Sequence, residues 1–384
     1  MKNLRLGVIG LGNMGKFHAD YLVQNKVARC TLTALASSSL EKLGRYPDVR
    51  HFTTGEELIS SGTVDAVLIA TPHYSHTTLG IAAFEAGLHV LVEKPISVHK
   101  ADAERLMAAA TRSGGVFAAM FQLRTEPRYQ KLKKLIEAGE LGEIVRVNWI
   151  ITDWFRTESY YASGGWRATW RGEGGGALLN QCPHQIDLMH WLCGTPRRVR
   201  GFCQFGRYHD IEVEDNVTVF FEFDSGATGL FVTSTGEAPG TNRFEIAGTR
   251  GRVVLENGRL CFTRNESDMR TFSKAASSGF AKPEVWNIDI PSDNASNQHA
   301  AVVENFVEAI LDGAALLAPG SDGLRSVEFA NAALYSTWTD QTVTLPLDGA
   351  LYEAALEEKI ANSTHQKRVA APSMVTDFAQ SFIR

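Results

Sequence analysis

The chain has 384 residues, 44% of them hydrophobic and 21% charged, with a net charge of −5. A polypeptide of this length exceeds one average domain, so two are expected, and its charges lack the long runs that would favour nucleic acid or an anionic membrane as partner. Five cysteines, odd in number and without CxxC spacing, argue against a disulfide framework or a structural zinc site, which leaves a small neutral or polar molecule as the expected partner.

The opening stretch MKNLRLGVIGLG runs directly into an apolar strand and a glycine turn, without the apolar core and cleavage site of a secretion signal. No later run approaches membrane-spanning length, so a cytoplasmic protein is expected. Residues 4–9, LRLGVI, read as a strand, and Gly10-Leu11-Gly12-Asn13-Met14-Gly15 leads into the helical NMGKFHADYLVQN, a GxGxxG in strand–turn–helix context. In such a turn the first glycine permits the tight bend, the second lets backbone approach a pyrophosphate, and the third lets helix pack on strand.

Strand-like runs at 31–36, 64–71, 89–94 and 116–121 alternate with the helical stretches HTTLGIAAFEAG and KADAERLMAAATRSG. The alternation predicts an α/β unit over residues 1–121, a doubly wound parallel sheet of Rossmann type. Ligands bind such sheets beyond the carboxyl ends of the strands, which places Thr71-Pro72-His73 and Glu93-Lys94-Pro95 beside a dinucleotide. Lys94, followed by proline, is a cation held rigidly over that cleft; the plainer reading is a solvated surface lysine. The second strand ends in Ala36-Ser37-Ser38-Ser39, without an acidic residue to repel a 2′-phosphate and without an arginine to bind one, so use of NADP at least comparable to NAD is predicted.

Beyond residue 121 the period changes. IVRVNWII, RVRGFCQF, NVTVFFEF, ATGLFVTS, RFEIAG, RVVLE and RLCFT read as strands joined by glycine-rich turns, a largely antiparallel sheet in a second α+β unit over residues 122–384. The late helical stretches NQHAAVVENFVEAILDG and LRSVEFANAALYSTW are expected to pack between that sheet and the first unit.

Within the second unit, DWFRTESYYASGGWRATWRG (153–172) is rich in rings and guanidinium groups. Flat rings cover the apolar faces of sugars and arginine forks donate to hydroxyls, so Trp154, Tyr160, Tyr161, Trp166 and Trp170 together with Arg156 and Arg167 suggest a carbohydrate pocket, although each ring alone is as readily core packing. Arg156 and Arg167 suit a carboxylate equally well. The stretch feeds into GGGALLNQCPHQIDLMHWLCG (174–194), where Pro183 suits a first helical turn and Gly194 a helix end. His184 then lies in the first turn, where the helix dipole opposes protonation by roughly 0.3–1 kcal/mol and leaves a neutral imidazole able to accept a proton. His190 falls on another face of that helix, so no two-histidine metal site is expected.

Ala86-Gly87-Leu88-His89-Val90 with Glu93-Lys94-Pro95 resembles the AG-K-H-V-x-x-E-K-P signature of the Gfo/Idh/MocA oxidoreductases, and the similarity continues through Arg124, Pro127 and GELGEI (139–144). In that family the lysine matching Lys94 hydrogen-bonds the reacting hydroxyl and the nicotinamide ribose. GGGALLNQCPHQID is similar to the family's GG-A-L-x-D-x-G-x-H-x-I-D, which makes His184 the acid/base and matches Asp187 to the later aspartate; Asn180 stands where the first aspartate is usual, and Cys182-Pro183 departs from the usual glycines. An uncharged Asn180 beside the imidazole is expected to orient it, or the substrate, without raising its pKa.

The resemblance implies a hydride transfer between NAD or NADP and a secondary alcohol of a sugar, polyol or glycoside; relatives that cleave glycosides through transient oxidation with retained cofactor are the alternative, and a non-catalytic dinucleotide sensor a third. It implies homo-oligomerisation, as dimer or tetramer, through an open sheet face. Lys94, His184 and Asn180 are the expected catalytic residues. Gly10, Gly12, Asn13, Met14, Gly15, Ser37, Ser38, Thr71, Pro72, His73, His76, Glu93, Lys94 and Gln122 are expected around the cofactor. Lys94, Arg124, Trp154, Arg156, Tyr160, Trp166, Arg167, Asn180 and His184 are expected at the substrate.

Overall fold

The computed structural model of the protein describes residues 2–292 and 298–368. Its first sheet is wholly parallel, with strands β1 (Leu4–Ile9), β2 (Cys30–Ala36), β3 (Arg50–Phe52), β4 (Ala66–Ile69), β5 (His89–Val92) and β6 (Phe117–Ala119) in the order β3-β2-β1-β4-β5-β6. β4 is buried at every position and β1 at all but Arg5, as expected for strands covered by helices on both faces. The short β3, with sequence RHF, was not among the expected strands: it is an edge strand without a buried residue, so no apolar run marks it.

Leu79, Phe84 and Leu106 cover one face of this sheet. Leu22, from helix Asn13–Val23, covers the other together with Val303, Phe306 and Val307 of helix Gln298–Asp312. A segment far along the chain therefore completes the core of the first unit. Asn297, with which the late helical stretch was expected to begin, lies outside the described residues.

The second sheet has nine strands: β7 (Ile144–Ile151), β8 (Arg198–Phe205), β9 (Glu214–Glu222), β10 (Thr228–Ser234), β11 (Asn242–Gly248), β12 (Gly251–Glu256), β13 (Arg259–Asn265), β14 (Val285–Ile290) and β15 (Val343–Thr344), ordered β14-β13-β12-β11-β7-β10-β9-β8-β15. Every pair is antiparallel except β7 with β10. The two outermost strands were not anticipated; β14 buries none of its residues and β15 has only two, so neither leaves a burial pattern in the sequence.

Helix Gly320–Thr339 joins the units: its Val327 belongs to the first core, and its Phe329, Ala330 and Leu334 to the second. It seats directly on β8, where a Cβ added to Gly201 would lie 2.2 Å from the Ala333 carbonyl oxygen. The opposite face of the sheet exposes Ile150, Phe202, Phe220 and Leu230. Among the described residues no helix is long and apolar enough to cross a membrane.

Candidate active site

The site lies beyond the carboxyl ends of β1, β4 and β5. Gly10 bends the chain after β1 at φ +94°, and a Cβ there would stand 2.8 Å from the Ala70 carbonyl oxygen. Gly15 lies so close to the turn that its Cβ would be 1.7 Å from the Gly10 oxygen. A Cβ on Gly12 would meet nothing within 4 Å, and helix Asn13–Val23 begins there with no side-chain cap and no acid in its first turn, which leaves its leading amides, among them those of Asn13 and Met14, open to an anion. This geometry fits a dinucleotide pyrophosphate.

After β2, the Ser37 hydroxyl accepts from the Ser39 amide at 3.2 Å and Ser38 is exposed. After β4, Pro72 is exposed and the Thr71 hydroxyl is buried without a partner among the described residues. His73 packs edge-on against Trp166, with Nδ1 3.2 Å from the Glu173 carbonyl oxygen, so it faces the ring-rich stretch of the second unit. Two residues expected at the cofactor are internal ties instead. His76 is fully buried between the carbonyl oxygens of Thr71 and Pro95, each 2.8 Å from a ring nitrogen, and clips together the turns after β4 and β5. Glu93 is buried against His18 of the glycine-loop helix, at 2.6 Å, while the other nitrogen of that ring meets the Tyr21 hydroxyl at 2.6 Å. Burial pushes the Glu93 carboxyl up, but His18 outweighs it and brings its pKa to about 2.

Lys94 follows, half-buried, and its Nζ donates to the Asn180 carbonyl oxygen at 2.6 Å. Burial lowers its pKa below the ordinary ammonium value, against the pull of Glu93. His184 sits in the first turn of helix Pro183–Cys193, which begins and ends where the sequence placed it; Gly194 takes φ +88° at its end. Its Nε2 lies 3.3 Å from the Gln122 amide nitrogen, so Gln122 of the 3₁₀ turn Gln122–Thr125 faces the imidazole. Its Nδ1 has no partner among the described residues. Burial first and the nearby Lys94 second hold the imidazole well below its usual pKa.

The expected partnership of Asn180 with His184 is not what the structure shows. Among the described residues no hydrogen bond joins them; the Asn180 amide donates to a carboxylate oxygen of Glu173. Glu173 is buried, accepts from the Ala168 amide at 2.5 Å through its other oxygen, and has its pKa raised by burial despite the nearby Arg167. The depression of the His184 pKa thus comes from burial and Lys94, not from the absence of charge at position 180. Glu173 was missed by sequence reasoning. Its signal was local: an acid immediately ahead of three glycines and seven residues before an asparagine that replaces an acid. Those glycines let the loop pass between the segment after β5 and the second sheet, since a Cβ on Gly174 would lie 2.0 Å from Val98 and one on Gly176 2.1 Å from the Glu214 carbonyl oxygen. The buried Glu214 carboxylate then accepts from the Gly176 and Leu178 amides at 2.8 and 3.0 Å.

The ring-rich stretch assembles as one cluster. The Arg156 and Arg167 guanidinium carbons lie 5.0 and 4.8 Å from the centre of the Tyr160 ring; Arg156 also lies over Trp154 at 5.3 Å and Arg167 over Trp166 at 4.6 Å. Tyr161 and Trp170, grouped with these rings in the sequence, are buried core instead, Trp170 against Phe205 and Trp338. Arg124, expected at the substrate, is 2% exposed and spends its fork on Asp187 (2.8 and 2.5 Å), Asp322 (2.9 Å) and the Leu317 carbonyl (2.9 Å). It ties the 3₁₀ turn to the His184 helix.

Comparison with known proteins agrees with this architecture. Residues 4–121 match the model of the oxidoreductase family with NAD-binding Rossmann fold, and residues 129–254 that of the GFO/IDH/MocA C-terminal domain. The chain is 27% identical to levoglucosan dehydrogenase of Pseudarthrobacter phenanthrenivorans, over 90% of this chain and 99% of that one. It is 26% identical to inositol 2-dehydrogenase of Rhizobium meliloti, over 89% and 99%. Among solved structures, the WlbA dehydrogenase from Bordetella pertussis, in complex with NADH and UDP-GlcNAcA, superposes with TM-score 0.76 at 25% identity, over 90% of this chain and all of that one.

Proposed function

The chain belongs to the Gfo/Idh/MocA oxidoreductase family, and from that premise we propose that it is a nicotinamide-dependent dehydrogenase or reductase acting on a secondary alcohol of a sugar, polyol or glycoside. The observation that carries the reading is the meeting of Lys94 and His184 around one turn: the ammonium is held by the Asn180 carbonyl, four residues before a buried imidazole whose neutral form is favoured.

The turn shaped by Gly10 and Gly15 would hold the pyrophosphate at Gly12 and the leading amides of the helix, and Ser37 and Ser38 would flank the adenosine ribose, where no acid excludes a 2′-phosphate. Bound there, NAD or NADP supplies the hydride acceptor, and the demanding chemistry is the cofactor's. Lys94 donates a hydrogen bond to the reacting oxygen and stabilises the negative charge that grows on it. His184, neutral at physiological pH, accepts the hydroxyl proton in oxidation and returns it in reduction. Gln122 restrains the imidazole at Nε2. Trp154, Tyr160 and Trp166, with the Arg156 and Arg167 guanidinium groups over their rings, would present a mixed aromatic and cationic surface to the sugar.

The open face of the second sheet supports a homo-oligomer. Phe220 and Leu230 are register partners on adjacent strands, and with Ile150 and Phe202 they place large apolar side chains on one exposed surface. Light scattering is expected to give a dimer or tetramer; a monomer at micromolar concentration would remove this part of the reading.

The function is tested by incubating purified protein with NAD, NADP and a panel of sugars, inositols and glycosides. The expected result is one NAD(P)H per ketone formed with at least one substrate. Glycoside cleavage without net NAD(P)H would replace this reading with the oxidation-assisted glycosidase.

A further inference from the structure

We propose that Arg156, Arg167 and Tyr160 form a subsite for an anionic group, a carboxylate or a phosphate, on the sugar or polyol that the enzyme oxidises. The proposal deepens the dehydrogenase reading and rests on it, because it concerns the part of the substrate remote from the reacting hydroxyl.

Two guanidinium groups stand against a single tyrosine ring, at 5.0 and 4.8 Å. Each ring contact is a weak attraction, whereas like charges so placed repel and lose part of their hydration. Elsewhere in this protein crowded arginines are neutralised: Arg124 has Asp187 and Asp322, and Arg243 has Glu245 and Glu256. Among the described residues neither Arg156 nor Arg167 makes an ion pair. Arg156 donates to the adjacent Phe155 carbonyl at 3.0 Å, and its Nε is buried without a partner among the described residues. Arg167 donates to the Tyr160 hydroxyl at 2.9 Å. The nearby acid, Glu173, is already occupied by the Ala168 amide and the Asn180 amide group.

The Tyr160 hydroxyl makes the arrangement more selective. It accepts from Arg167 and from Gln181 Nε2 at 3.1 Å, so both its lone pairs are used and its proton remains to be given away. The cluster therefore offers donors and few acceptors. A sugar hydroxyl, which donates as well as accepts, fits such an array less well than a group that only accepts, and two planar forks suit carboxylate or phosphate. The subsite borders the reaction centre: Gln181 follows the asparagine whose carbonyl holds Lys94, and Trp166, under Arg167, meets His73 edge-on at 5.3 Å.

The test is titration calorimetry and steady-state kinetics on the full chain with NAD or NADP, comparing glucose, glucuronate, gluconate and glucose 6-phosphate, and inositol with its phosphate. At least one acid is expected to bind tenfold or more tightly than its neutral parent, with an affinity that falls as salt rises; whether the carboxylates or the phosphates show the gain identifies the group. Arg167→Gln and Arg156→Gln should raise the KM of the preferred acid about 10- to 100-fold with a much smaller change in kcat, and Arg167→Lys, which keeps the charge but loses the fork, should fall between. Circular dichroism confirms that each variant is folded. Equal or weaker binding of every acid, or a KM untouched in the folded variants, overturns the proposal. Turnover of neutral sugars alone would overturn it and leave the dehydrogenase standing, whereas selective binding of acids without any turnover would uphold the subsite and count against the dehydrogenase.

Discussion

At the scale of the residue, the proposed proton transfer falls to His184. His184→Ala is expected to lower turnover about 10²- to 10⁴-fold with dinucleotide affinity nearly unchanged, as separate kinetic and binding titrations would show. Because burial and Lys94 hold its pKa well below the ordinary 6.5, the imidazole remains a base in mildly acidic solution, so the acid limb of the oxidation rate should lie below that pH. Lys94→Ala removes one of the two causes and should move that limb upward while depressing kcat. Glu173 is predicted to position this centre through Asn180 and to support the charge on Lys94. Glu173→Gln should then shift the alkaline limb to lower pH, because Lys94 loses its ammonium proton more readily; Asn180→Asp in that background, which returns one carboxylate, should move it back. A fall in stability with both limbs fixed would reduce Glu173 to a purely structural role. Lys94 and His184 were singled out in the sequence because a lysine–proline after a strand and a histidine after a helix-starting proline match the family's motifs; the local patterns alone left a structural reading open. The sequence did not reveal the partner of Asn180, because a hydrogen bond formed by a folded-back loop has no period or spacing of its own.

At the scale of the element, the His184 helix is fixed by ties from outside its own sequence. The Arg124 guanidinium is opposed by burial, yet the carboxylates of Asp187 and Asp322 outweigh this and keep it charged. Arg124→Met should strand the buried Asp187 charge and destabilise the fold by about 3–5 kcal/mol, measurable as a lower urea midpoint. If the midpoint is unchanged, the arginine is free for substrate after all. Arg124 was expected at the substrate only through the family resemblance; the position of Asp187 and Asp322 in space shows that its donors are spent. The turn after β2 is simpler. Ser37→Asp should turn preference toward NAD by repelling the 2′-phosphate, and strict NAD preference in the unaltered protein would contradict the reading of that turn.

At the scale of the molecule, both sheets were legible wherever burial imposes a pattern: continuous apolar runs for the parallel strands and alternation for the antiparallel ones. The edge strands β3, β14 and β15 escaped, as did the return of helix Gln298–Asp312 to the nucleotide core, which no local pattern encodes. Burial also shapes stability. His190 and His299 are held neutral with pKa values near about 3, so the unfolded chain binds more protons than the folded one between its own value of about 6.5 and that point, and stability should fall as pH drops through this window. Glu214, raised to about 7 by burial, works in the opposite sense above about 4.5, so the decline should steepen in more acidic solution. Equilibrium unfolding across pH checks the slope. The central claim, that Lys94 and His184 carry out a net oxidation of a sugar or polyol alcohol, is tested most directly by measuring NAD(P)H against ketone in single reactions of the unaltered enzyme and of His184→Ala. One NAD(P)H per ketone is expected in the first and at least a hundredfold slower formation of both in the second. Equal rates in the two proteins would contradict it.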